Sequence, residues 1–178
     1  DANAADPPES DASIPTVRIS ALALDEDANN ISSSFSILEG PELFARSQAT
    51  LGDTLDGLPG VRSDTFGGGA TRPVIRGQTA PRIKVLADGT SLLDASDISP
   101  DHAVTTEPLL LEKVEVLRGP ATLLYGSGAI GGVVNVLDRR VPSELPRNRF
   151  EGSVGLRGAT VSRERAGVLE LTGRATEH

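Results

Sequence analysis

The residues best placed to do chemistry lie in one loop, DASDISPDHAVTTE, residues 94–107. Asp94, Asp97, Asp101 and His102 fall within nine positions of one another. Carboxylate and imidazole together are a ligand set for zinc or another divalent ion. Pro100 restricts Ser99 and stiffens the approach to Asp101 and His102. Adjacent residues point to opposite faces of a strand, so these two reach one ion only from a turn. The competing reading is structural: Asp101 caps a turn and His102 is exposed. Two ligands also do not complete a tetrahedral site, so an ion held here needs others from elsewhere.

Three further chemistries can be tested on the residues. Gly126, Gly128 and Gly131 spell G-x-G-x-x-G. Nucleotide binding needs a strand before those glycines and a helix after, so that the helix N-terminus faces the pyrophosphate. Here a helical segment precedes and a β-branched run follows, and no acidic residue ends a second strand downstream. The glycines read as tight turns. Asp25, Glu26 and Asp27 with Asn29 and Asn30 lack the glycine and distant glutamate of a calcium loop, and read as a solvated linker. His102 and His178 are the only histidines and there is no Cys, and no pairing of a nucleophile with a histidine base stands out in the sequence.

The elements that must position the loop show as hydrophobic patterning. Val114, Val116, Val133, Val134 and Val136 are β-branched and read as buried strand. Between them Gly119-Pro120 starts a helical segment, ATLLYG, closed by Gly126 and Gly128. Residues 81–89 read as a strand running into an Asp88-Gly89 turn, with a return strand from Leu92-Leu93. Val74 and Ile75 read as another strand, ended by Gly77. Phe35 to Val61 reads as short helices and turns: Pro41 opens PELFAR, and Thr50 caps LGDTLDGL, whose Leu51, Leu55 and Leu58 share a face. Arg72, Arg76, Arg82 and Arg118 lie beside the strands and read as solvated surface.

Composition limits the partners. Of 178 residues only 3% are aromatic, and the net charge is −8. Most of the excess sits in residues 1–30, where seven acids face Arg18 alone. No basic patch with interleaved aromatics occurs, so no nucleic acid is expected. No Met occurs, which fits a chain whose leader has been removed. No apolar run reaches the roughly 18 residues of a membrane helix, which leaves a β-barrel open. Residues 1–15 read as disordered. TVRISALAL, residues 16–24, reads either as a peptide that adds to another protein's sheet edge or as an ordinary first strand. After Val141-Pro142, Phe150, Gly152, Val154 and Leu156 alternate with Glu151, Ser153 and Arg157, and Leu169 and Leu171 alternate with Glu170 and Thr172. That pattern fits barrel strands or any half-buried antiparallel sheet.

The stretch VEVLRGPATLLYGSGAIGGVVNV (114–136) resembles the closing segment of the plug domain of TonB-dependent outer-membrane receptors. LGDTLDGLPGV (51–61) and PVIRGQ (73–78) extend the likeness over most of residues 36–142. The resemblance implies an α+β fragment: a small mixed-sheet plug with short helices, followed by the first strands of a transmembrane β-barrel. Residues 1–35 become a flexible tail, 36–146 the plug and 147–178 two barrel strands. It implies a TonB box at Thr16, Val17, Arg18, Ile19, Ser20 and Ala21, available to periplasmic TonB by strand pairing. It implies that Arg76 and Arg118 hold the plug to acidic residues of its own barrel wall. GGGATRPVIRGQTAPRIKVL followed by SPDHAV is most similar to the ZnuD-type zinc-uptake receptors. In them this turn supplies an Asp and a His to zinc, here Asp101 and His102, with the other ligands on the barrel. Zinc is then the transported ligand, and the location is the outer membrane with the plug facing the periplasm. The alternatives are a receptor of the same class importing a siderophore or haem, and a soluble periplasmic metal-binding module.

Overall fold

The computed structural model describes residues 34–67, 69–139, 146 and 148–174. The strands are β1 (Ser34–Glu39), β2 (Val61–Gly67), β3 (Ala70–Ile75), β4 (Ile83–Ala87), β5 (Thr90–Ser91), β6 (Leu111–Arg118), β7 (Gly132–Asp138), β8 (Phe150–Ala159) and β9 (Glu164–Gly173). Two short helices, α1 (Gly40–Arg46) and α2 (Leu51–Leu55), follow β1. Five strands form one sheet in the order β1-β6-β7-β4-β5. β4 runs parallel to β7 and the other pairs are antiparallel, so the sheet is mixed. The α+β expectation holds.

The sheet is built where β-branched residues are densest. Val114, Val116, Val134 and Val136 point to the face that receives Leu38, Leu43, Leu51, Leu55, Val61 and Ile75. Leu117 and Val133 point to the other face, against Ala129 and Leu86. That second face also holds a polar pair. Glu115 and Asn135 stand opposite each other in register and are fully buried. The Asn135 Nδ2 donates to Glu115 Oε2 at 3.0 Å, and Lys113 Nζ lies 2.9 Å from Glu115 Oε1. Asn135 Oδ1 accepts the Gly89 N–H at 2.9 Å, which fixes the β4–β5 turn to the middle of the sheet.

Thr50 caps α2 as its sequence predicts, accepting the Asp53 N–H at 3.3 Å. Leu51 and Leu55 enter the core. Gly52 lets the helix touch the β3 backbone: a Cβ there would lie 2.8 Å from Arg72 main-chain atoms. Pro120–Tyr125 is helical, but as a 3₁₀ segment between Gly119 and Gly126. The G-x-G-x-x-G run precedes strand β7, so the reversed order holds: Gly126 makes a turn at φ 89°, and Gly131 serves packing, since a Cβ there would meet Gln78 Cβ at 2.6 Å.

Several expectations are corrected. The Phe35–Val61 stretch does not start with helices and turns, because Ser34–Glu39 is a strand on the free edge of the sheet. Hydrophobic patterning does not mark β2. It pairs only with β3, and that isolated ribbon needs little apolar content. The return strand is Thr90–Ser91 rather than Leu92-Leu93, since the Asp88-Gly89 turn closes immediately. Arg72 and Arg118 are not solvated: both are buried.

β8 and β9 form a separate two-stranded sheet with Val154 opposite Leu169 and Gly152 opposite Leu171. Phe150, Val154, Leu156, Leu169 and Leu171 are 66–79% exposed. The opposite face carries Arg157, Glu164 and Glu170 toward the five-stranded sheet. Among the described residues no helix is long and apolar enough to cross a membrane, which says nothing of strands.

Candidate functional site

The 94–107 loop is tied at both ends by carboxylates. Asp94 caps the 3₁₀ turn Ala95–Asp97, accepting the Ser96 N–H at 3.1 Å. Its other oxygen accepts the Thr105 N–H at 2.6 Å and closes the loop on itself. The Ser96 carbonyl accepts from Arg72 at 3.2 Å, and Arg72 also pairs with Asp64 at 3.1 Å. Arg72 thus carries the loop on the β2–β3 ribbon. Patterning alone does not single it out, because an arginine in a strand reads as exposed.

Asp101 and His102 come together at the tip, in a turn as their shared use requires. The imidazole Nδ1 lies 2.9 Å from Asp101 Oδ1, and both side chains are more than half exposed. The Ser99 hydroxyl donates to the same carboxylate oxygen. Its bonds with Ser99 and His102 hold the Asp101 carboxyl below the usual aspartate range. A proton on Nδ1 shared with Asp101 leaves the Nε2 lone pair free, which is how a carboxylate orients a histidine toward a metal. Asp94 and Asp97 do not join them: Asp94 is occupied by main-chain N–H groups, and Asp97 is partly buried beside it. Among the described residues no group of three His, Cys, Asp or Glu side chains forms a metal-holding cluster. Of the four side chains, the turn brings only Asp101 and His102 together.

Burial raises the Asp94 carboxyl, but the N–H groups of Thr105 and Ser96 outweigh it and hold it below the ordinary range. Burial and the Asp94 charge push Asp97 the other way. A depressed carboxyl stabilises the fold above the unfolded-state value, and that stabilisation is lost as pH falls through the folded value. The loop closure is therefore expected intact at neutral pH and weakened below about pH 4. Amide exchange at Thr105, corrected for intrinsic rate, should accelerate across that window; a pH-independent opening would overturn the role given to Asp94.

Arg76 and Arg118 meet beside the start of β1. Arg118 Nη1 donates to the Pro59 carbonyl and Nη2 to the Ser36 hydroxyl. Arg76 donates to the Ser34 hydroxyl at 3.1 Å, from a left-handed backbone (φ 51°) that ends β3. Burial, and then the Arg76 charge, lower the Arg118 pKa. Among the described residues neither guanidinium forms an ion pair, and Arg118 Nε is buried without an acceptor. Two adjacent cations therefore stand here with no carboxylate facing them among the described residues. Thr16 to Ala21 lie outside the described residues, as does His178.

A mixed five-stranded sheet with short helices, β1 at its edge, and a separate hairpin with an exposed apolar face together define an α+β plug-like domain. The comparisons with known proteins agree. The family described as TonB-dependent Receptor Plug Domain matches residues 27–133. The chain belongs to that family. It is 31% identical over 128 residues to the vitamin B12 transporter BtuB of Photobacterium profundum, covering 71% of this chain and 21% of that one. It is 32% identical over 131 residues to an iron-regulated outer membrane virulence protein of Vibrio cholerae, covering 70% and 20%. The chain thus spans about a fifth of the length of the curated relatives it matches. The receptor in the FpvAI–pyocin S2 complex shares the fold over 89% of this chain and 20% of its own, at TM-score 0.66 and 19% identity. The ferric enterobactin receptor of Pseudomonas aeruginosa does so over 71% and 20%, at TM-score 0.55 and 23% identity. The family places the chain at the outer membrane, with the plug facing the periplasm.

Proposed function

We propose that this chain is the plug and first barrel strands of a receptor that takes up zinc across the outer membrane under the control of TonB. The observation that carries the zinc reading is the Asp101–His102 pair, with Nδ1 held by a carboxylate at 2.9 Å and Nε2 free at an exposed turn. The remaining ligands come from the barrel wall. β8 and β9 are its first two strands: their apolar side chains are exposed in register while Arg157, Glu164 and Glu170 face the plug. A soluble periplasmic metal-binding module would not leave that face uncovered. Arg76 and Arg118 receive barrel carboxylates, which supports docking of the plug within its own barrel.

The mechanism is gating. Cargo binds from outside on a site shared by plug and barrel. Thr16, Val17, Arg18, Ile19, Ser20 and Ala21 become available in the periplasm, and TonB pairs with them as a strand. The energy arrives through that partner, and no step calls for catalysis by this chain. A second reading keeps the gate and changes the cargo to a siderophore, haem or another metal chelate. The relatives favour it, since those named by cargo transport vitamin B12 or receive ferric enterobactin.

Zinc binding to the full-length receptor, compared with His102→Ala, tests the first reading. The affinity should fall at least about tenfold, the scale of one lost metal ligand or its orientation. Equal affinity with the fold intact would remove His102 from the zinc shell and leave the chelate reading.

A further inference from the structure

Arg157 occupies a position that neither the cargo turn nor the arginine pair explains. It sits on the inward face of β8 with only 10% of its side chain exposed. Its Nη1 lies 2.8 Å from Glu107 Oε1, and its Nη2 lies 3.4 Å from Glu107 Oε2. Its Nε and Nη2 also reach Glu164 Oε1, at 2.8 and 2.6 Å. One guanidinium thus bridges two carboxylates, one on the neighbouring strand of its own hairpin and one on the plug. Glu107 has a second task, accepting the Leu109 N–H at 3.0 Å to start the 3₁₀ turn Pro108–Leu110. The loop that ends at Glu107 is closed upstream by Asp94 on Thr105. Only Thr106 then separates that closure from the Arg157 contact.

We propose that Arg157 is a positioning residue that moors the 94–107 loop to the first hairpin through Glu107, and so sets where Asp101 and His102 stand relative to the barrel wall. This rests on the plug-and-barrel reading given above, but not on zinc being the cargo. The chemistry suits the task. A planar fork bound by both prongs fixes direction as well as distance, and the guanidinium itself is largely withdrawn from solvent while Glu107 stays 40% exposed. Burial raises the Glu107 carboxyl, but the Arg157 contact and the Leu109 N–H outweigh it, so the contact persists at neutral pH. Glu164 completes the fork from within the hairpin, so the guanidinium is already aimed when the plug meets it.

The experiment uses the full-length receptor and reads amide exchange at residues 103–109. Glu107→Gln keeps an oxygen for the Leu109 N–H but removes the charge, and it leaves the hairpin untouched. It should speed exchange there about tenfold, the scale expected for loss of a charge-assisted hydrogen bond. Arg157→Ala should do the same without raising exchange at β8 and β9 positions away from residue 157. Arg157→Lys should recover part of the protection. Unchanged exchange in Glu107→Gln overturns the mooring even if Arg157→Ala fails to fold. Zinc titration of the same variants separates the two readings. A wild type that binds no zinc sinks the cargo reading alone, while the exchange data still decide the mooring.

Discussion

Glu115→Ala is expected to lower plug stability by about 3 kcal/mol, the low end for breaking a buried ion pair. The carboxylate is fully buried and holds Lys113 Nζ at 2.9 Å and Asn135 Nδ2 at 3.0 Å. Alanine takes that acceptor from the Asn135 amide in the middle of the sheet, and opens a cavity beside it. The Lys113 side chain is 17% exposed, so it recovers some hydration, which keeps the figure from the upper end of the range. Asn135 also carries the Gly89 N–H, so the damage should spread to the β4–β5 turn. The measurement is amide exchange at Gly89 and Val134 in the intact receptor. A change under about 1 kcal/mol would mean that the network is not a keystone of the sheet. Glu115→Gln should be milder than Glu115→Ala, because a side-chain oxygen still accepts from Asn135 and no cavity opens.

Gly52→Ala should cost a similar amount, about 3 kcal/mol, by a different route. The added methyl would stand 2.8 Å from Arg72 N and C and 2.9 Å from Thr71 C. Those atoms are main chain and cannot rotate aside, so α2 must lift from β3. Lifting it loosens Leu51 and Leu55 in the core and tilts Arg72, which carries Ser96 and the 94–107 loop. Thermal unfolding of the receptor's plug should show the loss. Gly67→Ala is the control, since a Cβ there meets nothing within 4 Å. Equal stability of Gly52→Ala and Gly67→Ala would show that the helix and ribbon have room to spare.

The central strands are legible because their valines face apolar surroundings on both sides, and β8–β9 because their two faces meet different environments. β1 is not legible. SFSILE is an edge strand whose serines take hydrogen bonds from Arg76 and Arg118, so its register is set by residues far away in the chain. The polar pair within the valine runs is equally hidden. Glu115 and Asn135 each look like an interruption, and only their pairing across the β6–β7 register makes them acceptable. At the candidate site, the turn at Asp101 and His102 can be read locally, because both residues lie in one short segment. Arg72, Glu107 and Arg157 cannot, since each acts across a tertiary contact.

The order of strands in the sheet also governs how the domain can form. Ser34 pairs with Arg118, and Ile83 pairs in parallel with Gly132. During synthesis β1 therefore waits for β6, and β4 waits for β7. The β2–β3 and β4–β5 hairpins can pair locally, but the five-stranded sheet cannot assemble until both arrive. The entropy of closing those long loops precedes any reward from pairing, which makes folding slow and nearly all-or-none. A chain delivered from its N-terminus has no stable halfway sheet to stall in. The five-stranded sheet stays incomplete until residues near Asn135 are present, and the polar pair then closes together with the strands that carry it.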